Sequence, residues 1–158
     1  MNAPTSKAAC SDLPSQPEER REFLLDVFGQ HLFSLRNQLT NRMRHYVEHE
    51  GARREMGSVP SGPYTAVASL DPAAREAALG LAREAVDRYM QLVLGLLQSS
   101  GQSLRLGQEH AIRYRLYAEV IAVEDYDTVL AESLINRGSE KAMESYFGRW
   151  LSRHADHE

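Results

Sequence analysis

The spacing of apolar residues changes period twice along this chain, and those changes constrain its fold more than any other feature. From residue 18 to about 100 apolar side chains recur every three or four positions. From 104 to about 134 they recur mostly every second position, and after Ser139 the longer spacing returns. A repeat near 3.6 builds an amphipathic helix, and a repeat of two builds a strand with one buried face. The pattern predicts an α+β domain: two long antiparallel helices plus a C-terminal helix packed with a β-hairpin or small antiparallel sheet.

Local chemistry places the boundaries. Ser15 and Glu18 have capping-box spacing, and Pro17 falls in the first turn, where a missing N–H costs little. Leu25, Phe28, Leu32, Leu35, Leu39, Met43 and Tyr46 then form one stripe, and Gly51 is the expected terminator of the first helix. Residues 51–70 hold three glycines and two prolines and read as a long loop. Asp71-Pro72 opens the second helix, with Asp as N-cap. That helix is apolar nearly all round between residues 86 and 97, which predicts the centre of the core.

Residues 112–123 alternate, 124–127 are a turn signal, and 128–135 suit a second strand. Ile112, Leu116, Val120 and Val123 would also fit a helix. Leu104 and Leu106 begin the first strand or form a third. Ser139 caps the last helix, whose apolar face is Met143, Tyr146, Phe147, Trp150 and Leu151. The expected core is Phe28, Leu32, Leu35, Leu39, Tyr89, Val93, Leu96, Leu116, Val120, Phe147 and Trp150.

Residues 1–14 carry almost nothing to bury and read as a disordered tail; residues 15–154 read as a single globular domain. The one cysteine, Cys10, lies in that tail, so no intrachain disulfide forms and a reducing cytoplasm fits best. The longest apolar run, residues 92–97, is far short of the ~20 residues a membrane span needs. A net charge of −4 makes the average field repel nucleic acid.

Three segments invite a functional reading. His45 and His49 lie one helical turn apart, and Glu48 beside the second completes an inverted zinc-protease pattern, His-x-x-Glu-His. A metal-dependent hydrolase would need a third ligand, for which Glu119, Glu124, Asp125 and Glu132 are candidates. Arg149 and His154 have Arg-x4-His spacing. This resembles the signature of the HEPN ribonucleases, all-helical dimers of bacterial defence systems; the resemblance covers those two residues, with Trp150 where the family usually has a polar one. Glu124, Asp125, Tyr126 and Asp127 join an aromatic to three carboxylates at the hairpin turn, a composition suited to binding a basic protein surface.

Arginines 36, 42, 44, 53 and 54 concentrate positive charge near the end of the first helix, interrupted by Glu48, Glu50 and Glu55. No glycine-rich phosphate loop, nucleophile elbow or cofactor motif appears. By exclusion the expectation is a small, acidic, non-enzymatic interaction protein. Its size and charge are those of toxin-neutralising (immunity) proteins or adaptors. It would use no cofactor, and its partner would be another protein, such as a basic toxin or enzyme. A homodimer is allowed, and neither a membrane nor nucleic acid is the expected partner.

Overall fold

The computed structural model describes residues 13–57, 60–98, 105–106, 110–112, 114–136 and 143–155. The order is α1 (Pro17–Glu48), α2 (Glu50–Arg54), α3 (Gly62–Ala68), α4 (Pro72–Gln98), β1 (Arg105–Leu106), β2 (His110–Ala111), β3 (Tyr117–Ala122), β4 (Asp125–Leu134) and α5 (Met143–His154). The fold is α+β, as the periodicity predicts. Two long helices, α1 and α4, run antiparallel. Arg36 makes a two-pronged pair with Asp87 at 2.9 Å on each arm, and Arg44 does the same with Glu76 at 2.8 and 3.0 Å. The later residue of α1 meets the earlier residue of α4, which fixes the direction.

α5 lies on one side of this pair and is held at both ends. Asn37 donates to the His154 carbonyl at 2.7 Å, and the Gln98 side-chain oxygen accepts from the Met143 amide at 3.0 Å. These contacts satisfy end groups that a helix cannot pair internally. Between them α5 buries Met143, Tyr146, Phe147 and Trp150 against Leu25 and Phe33 of α1 and Met90 and Leu94 of α4. Trp150 has no exposed surface. It lies directly over Gly29: a Cβ at residue 29 would stand 2.3 Å from its indole ring. Phe28 meets the same ring edge-on, with centroids 6.1 Å apart, and Phe33 and Phe147 tilt together at 5.3 Å.

The β3–β4 hairpin attaches through buried polar residues of both the hairpin and α1. Asn136 accepts from the Leu116 amide at 2.8 Å and donates to the carbonyls of Leu97 at 2.7 Å and Tyr114 at 3.0 Å. The Ile135 amide donates to Leu116 at 2.9 Å, and Arg21, itself buried, donates to the Ile135 carbonyl at 3.2 Å. β1 and β2 form a separate antiparallel pair, with Leu106 opposite His110.

Several sequence expectations are corrected. The helical stripe is split. Phe147 and Trp150 are in the core, and Phe28, Leu32, Leu116 and Val120 pack against it, but Leu35, Leu39, Tyr89 and Leu96 are exposed. α5 covers only one side of the helical pair, so apolar residues facing the other way stay wet. Ser15 does not cap α1: Gln16 holds the N-cap position without a side-chain bond, while Arg20 donates to the Pro14 and Ser15 carbonyls. Gly51 does not end a helix but sits inside α2; the break falls at His49, whose backbone is extended. The predicted loop 51–70 contains α2 and α3, clamped by Arg53 onto the Tyr46 and Val47 carbonyls and by Arg75 onto those of Ala68 and Leu70. Asp71 caps α4 as expected, accepting from the amides of Ala73 and Ala74 at 3.0 Å.

The first long strand is shorter than its alternation implies, because the Asn136 side chain takes the backbone groups of Tyr114 and Leu116 that a ladder would have used. Most of the expected tail, with Cys10, and the Ser139 cap lie outside the described residues; Leu13 packs against the core.

Gly29→Ala and Gly80→Ala separate packing from helix propensity. Alanine favours a helix over glycine by about 1 kcal/mol. At exposed Gly80, with nothing within 4 Å of an added Cβ, that gain should appear as higher stability in urea unfolding. At Gly29 the collision with Trp150 should outweigh it and cost about 1–3 kcal/mol net. Equal effects of the two substitutions would contradict the packing.

Candidate functional site: the β3–β4 arm

The hairpin divides into an anchored half and a displayed half. Tyr117 pairs with Leu134, Ala118 with Ser133, Glu119 with Glu132 and Val120 with Ala131 in regular register. Alternation turns Ala118 and Val120 inward, where they pack against the core. Beyond Val120 the register slips twice: Ile121 meets Val129, and Ala122 meets Asp125. Val123 and Glu124 make the connection, and residues 126–128 form an irregular, bulged tip.

From residue 123 to 130 every side chain is exposed. Tyr126 is 74% exposed and Val123 65%, with Val129 and Leu130 close to half. Glu119 and Glu132 face each other across the ladder, a pairing of like charges that weakens a ribbon unless a cation is brought to it.

The four predicted contact residues do not share one role. The Asp125 carboxylate is turned onto its own loop, accepting from the Thr128 hydroxyl at 2.6 Å and from the Asp127 amide at 3.1 Å. The Thr128 bond and then the Asp127 amide hold its pKa below the usual carboxylate range. Asp125 therefore shapes the tip, while Glu124, Tyr126 and Asp127 are displayed on it. Sequence reasoning missed Val123, Val129 and Leu130 as displayed residues. The available signal was that the polar face of the alternation ends at Glu119.

The other candidate groups are differently placed. Arg149 donates to Asp26 at 2.6 Å, lies 3.9 Å from Glu22 and stacks over the Tyr146 ring at 4.3 Å. Asp26 also accepts from the Trp150 indole at 3.1 Å and approaches Arg153 at 3.5 Å. Tyr146 donates to Glu22, and burial followed by that bond raises its pKa. Arg149 thus serves the α1–α5 joint. His154 contributes its carbonyl to Asn37.

His45 and His49 stand side by side at the end of α1 with ring centroids 4.5 Å apart. Among the described residues no group of three or more His, Cys, Asp or Glu side chains converges, so none of the proposed third ligands joins them. The basic cluster is largely neutralised: Arg36 and Arg44 pair with α4, Arg54 pairs with Glu50, and Arg53 binds backbone carbonyls. A hollow of about 380 Å³ opens between α1, α3 and α4, lined by Met43, Val47, Tyr64, Val67, Leu79 and their apolar neighbours. Among the described residues of its lining, the Tyr64 hydroxyl is the one group suited to acid–base or nucleophilic chemistry.

Because the folded-state pKa of Asp125 is depressed, its contribution to tip order is present at neutral pH and fades as pH falls through that lowered value. Thr128→Val removes the principal cause. An NMR titration of the Asp125 carboxyl should show its pKa rising toward the ordinary value in the variant; an unchanged midpoint would contradict the observed turn.

No family model, curated protein or solved structure matches this chain, so its functional reading rests on the geometry above.

Proposed function

We propose that this is a non-enzymatic protein-binding module whose β3–β4 arm is the contact element. The observation that carries this is the distal half of the hairpin. A two-stranded ribbon is marginally stable in water on its own, and its usual remedy is to lay one face on a core. Here residues 117–120 do so and residues 123–130 do not. The displayed half nonetheless carries Val123, Tyr126, Val129 and Leu130. A tyrosine with aliphatic neighbours supplies contact area at small entropic cost, as at the centres of protein interfaces.

Charge selects the partner class. Glu124 and Asp127 at the tip and the facing Glu119–Glu132 pair present carboxylates along the arm. A partner carrying arginine or lysine would relieve the Glu119–Glu132 repulsion and be steered toward the tip. The reading is a small toxin-neutralising or adaptor-like protein that occludes a basic surface of a protein partner, such as the active site of a basic enzyme. No helix among the described residues is long and apolar enough to cross a membrane, and the absence of any cysteine besides Cys10 supports a cytoplasmic setting.

Affinity purification from the native host, followed by titration of the captured protein, tests this. Tyr126→Ala and the double variant Glu124→Lys/Asp127→Lys should each weaken binding about tenfold or more, in line with loss of a central aromatic or of steering charge. Far-ultraviolet circular dichroism should be unchanged. Asp125 is left intact because it holds the turn. Full affinity in both variants would remove the arm as the contact.

A further inference from the structure

We infer that the outer edge of β3 takes up an extended, basic segment of the partner as a third strand, with a lysine or arginine seated beside Glu119. It rests on the arm being the contact element and adds how that contact is made. Among the described residues the sheet has two strands, so each strand has one side without a ladder. The Ile135 amide donates to the Leu116 carbonyl, which marks these two as a hydrogen-bonded pair. In an antiparallel ladder such pairs alternate with pairs whose N–H and C=O groups point outward. The regular register therefore turns the backbone groups of Tyr117 and Glu119 away from β4, toward the outer side of β3. Both residues are exposed. The outer side of β4 is less open, because β4 lies against α1 and residues 133–136 are half-buried or buried.

Charge decides which strand is accepted. Proteins usually blunt an edge with proline or lysine. The β3 sequence, Tyr-Ala-Glu-Val-Ile-Ala, has neither, and its one charged residue is Glu119. Glu119 faces Glu132 at a pair of the outward kind, where opposed side chains are closest and like charges repel most. A strand added beside β3 sets one of its own side chains next to Glu119 on that face. An acidic residue there adds to the repulsion, a neutral one leaves it, and lysine or arginine relieves it. The same feature disfavours a second copy of this chain, since joining two β3 edges would gather Glu119 and Glu132 of both copies on one face. The alternate positions of the added strand fall beside Ala118 and Val120, which pack against the core, so aliphatic residues suit them. The register slip after Val120 ends the straight edge. The segment recognised is thus short and alternates basic with aliphatic residues, held by main-chain hydrogen bonds and selected by its side chains.

The test adds the synthetic peptide acetyl-Lys-Val-Lys-Val-Lys-Val-amide, at millimolar concentration, to the full chain and follows backbone amides by NMR and hydrogen exchange. The amides of Tyr117 and Glu119 should gain protection of about tenfold or more, while those of Ala118 and Val120, already used in the ladder, should change little. The counterpart with glutamate in place of lysine should not bind. Glu119→Gln should weaken the peptide about threefold by removing the charge alone. Glu119→Pro should weaken it about tenfold or more, because proline also removes the outward N–H. That N–H has no place in the β3–β4 ladder, so the hairpin should stay folded, with Ala118 and Val120 still protected. No protection at Tyr117 and Glu119, equal losses in the two variants, or equal binding of the acidic peptide would each overturn the inference. A captured protein partner that loses affinity with Tyr126→Ala but not with Glu119→Pro would remove strand addition and leave the arm as the contact.

Discussion

The seat of Trp150 on Gly29 is the contact on which the rest of the molecule depends. The indole occupies the space a side chain at residue 29 would fill, so α5 approaches the backbone of α1 directly. Three residues earlier, Asp26 accepts the indole N–H and the Arg149 guanidinium together. One turn of α1 thus sets the rotation, depth and register of α5. An indole N–H buried without an acceptor would cost about 1–3 kcal/mol, and Asp26 avoids that cost. Its charge is in turn balanced by Arg149 and Arg153 at the margin of the core. Asn37 and Gln98 then fasten the two ends.

That joint decides what remains available elsewhere. With α5 on one side of the helical pair, the core is complete around Leu25, Phe33, Leu94, Phe147 and Trp150. Apolar residues pointing the other way are left uncovered. The hairpin is tied to the end of α4 by Asn136, which uses all three of its hydrogen bonds on backbone groups. Its first half reaches the core and its second half projects past it. Stability and recognition are therefore served by different parts of the molecule, and side chains at the tip can change without disturbing Trp150.

The class of the fold and the order of its long elements were legible because each rests on a local rule: a 3.6-residue stripe in α1, Asp71 with Pro72 at the start of α4, alternation ending in an acidic turn. What was not legible depended on tertiary neighbours. Leu35 and Phe33 are equally apolar, yet only Phe33 faces α5, and no periodicity reveals which part of a broad stripe is covered. Arg21 and Asp26 are polar positions outside the apolar stripe of α1, yet both belong to its joints with other elements. The turn tetrad was identified as a unit, but Asp125 is spent on Thr128 and the Asp127 amide, a distinction that requires the bulged register. The histidine pair shows the converse: no third ligand among the described residues reaches it, and a pattern carried by a helix face acquires chemistry only when other elements bring partners to it.

A rigid α1–α5 joint carries an arm whose distal half, residues 123–130, makes no contribution to the core. Amide hydrogen exchange on the free chain measures this directly, since it reports local opening residue by residue. Slowest exchange is expected in residues 26–36 and 146–151, with amides of residues 123–130 exchanging at least about a hundredfold faster. Equal protection of the arm and the joint in the free chain would contradict it.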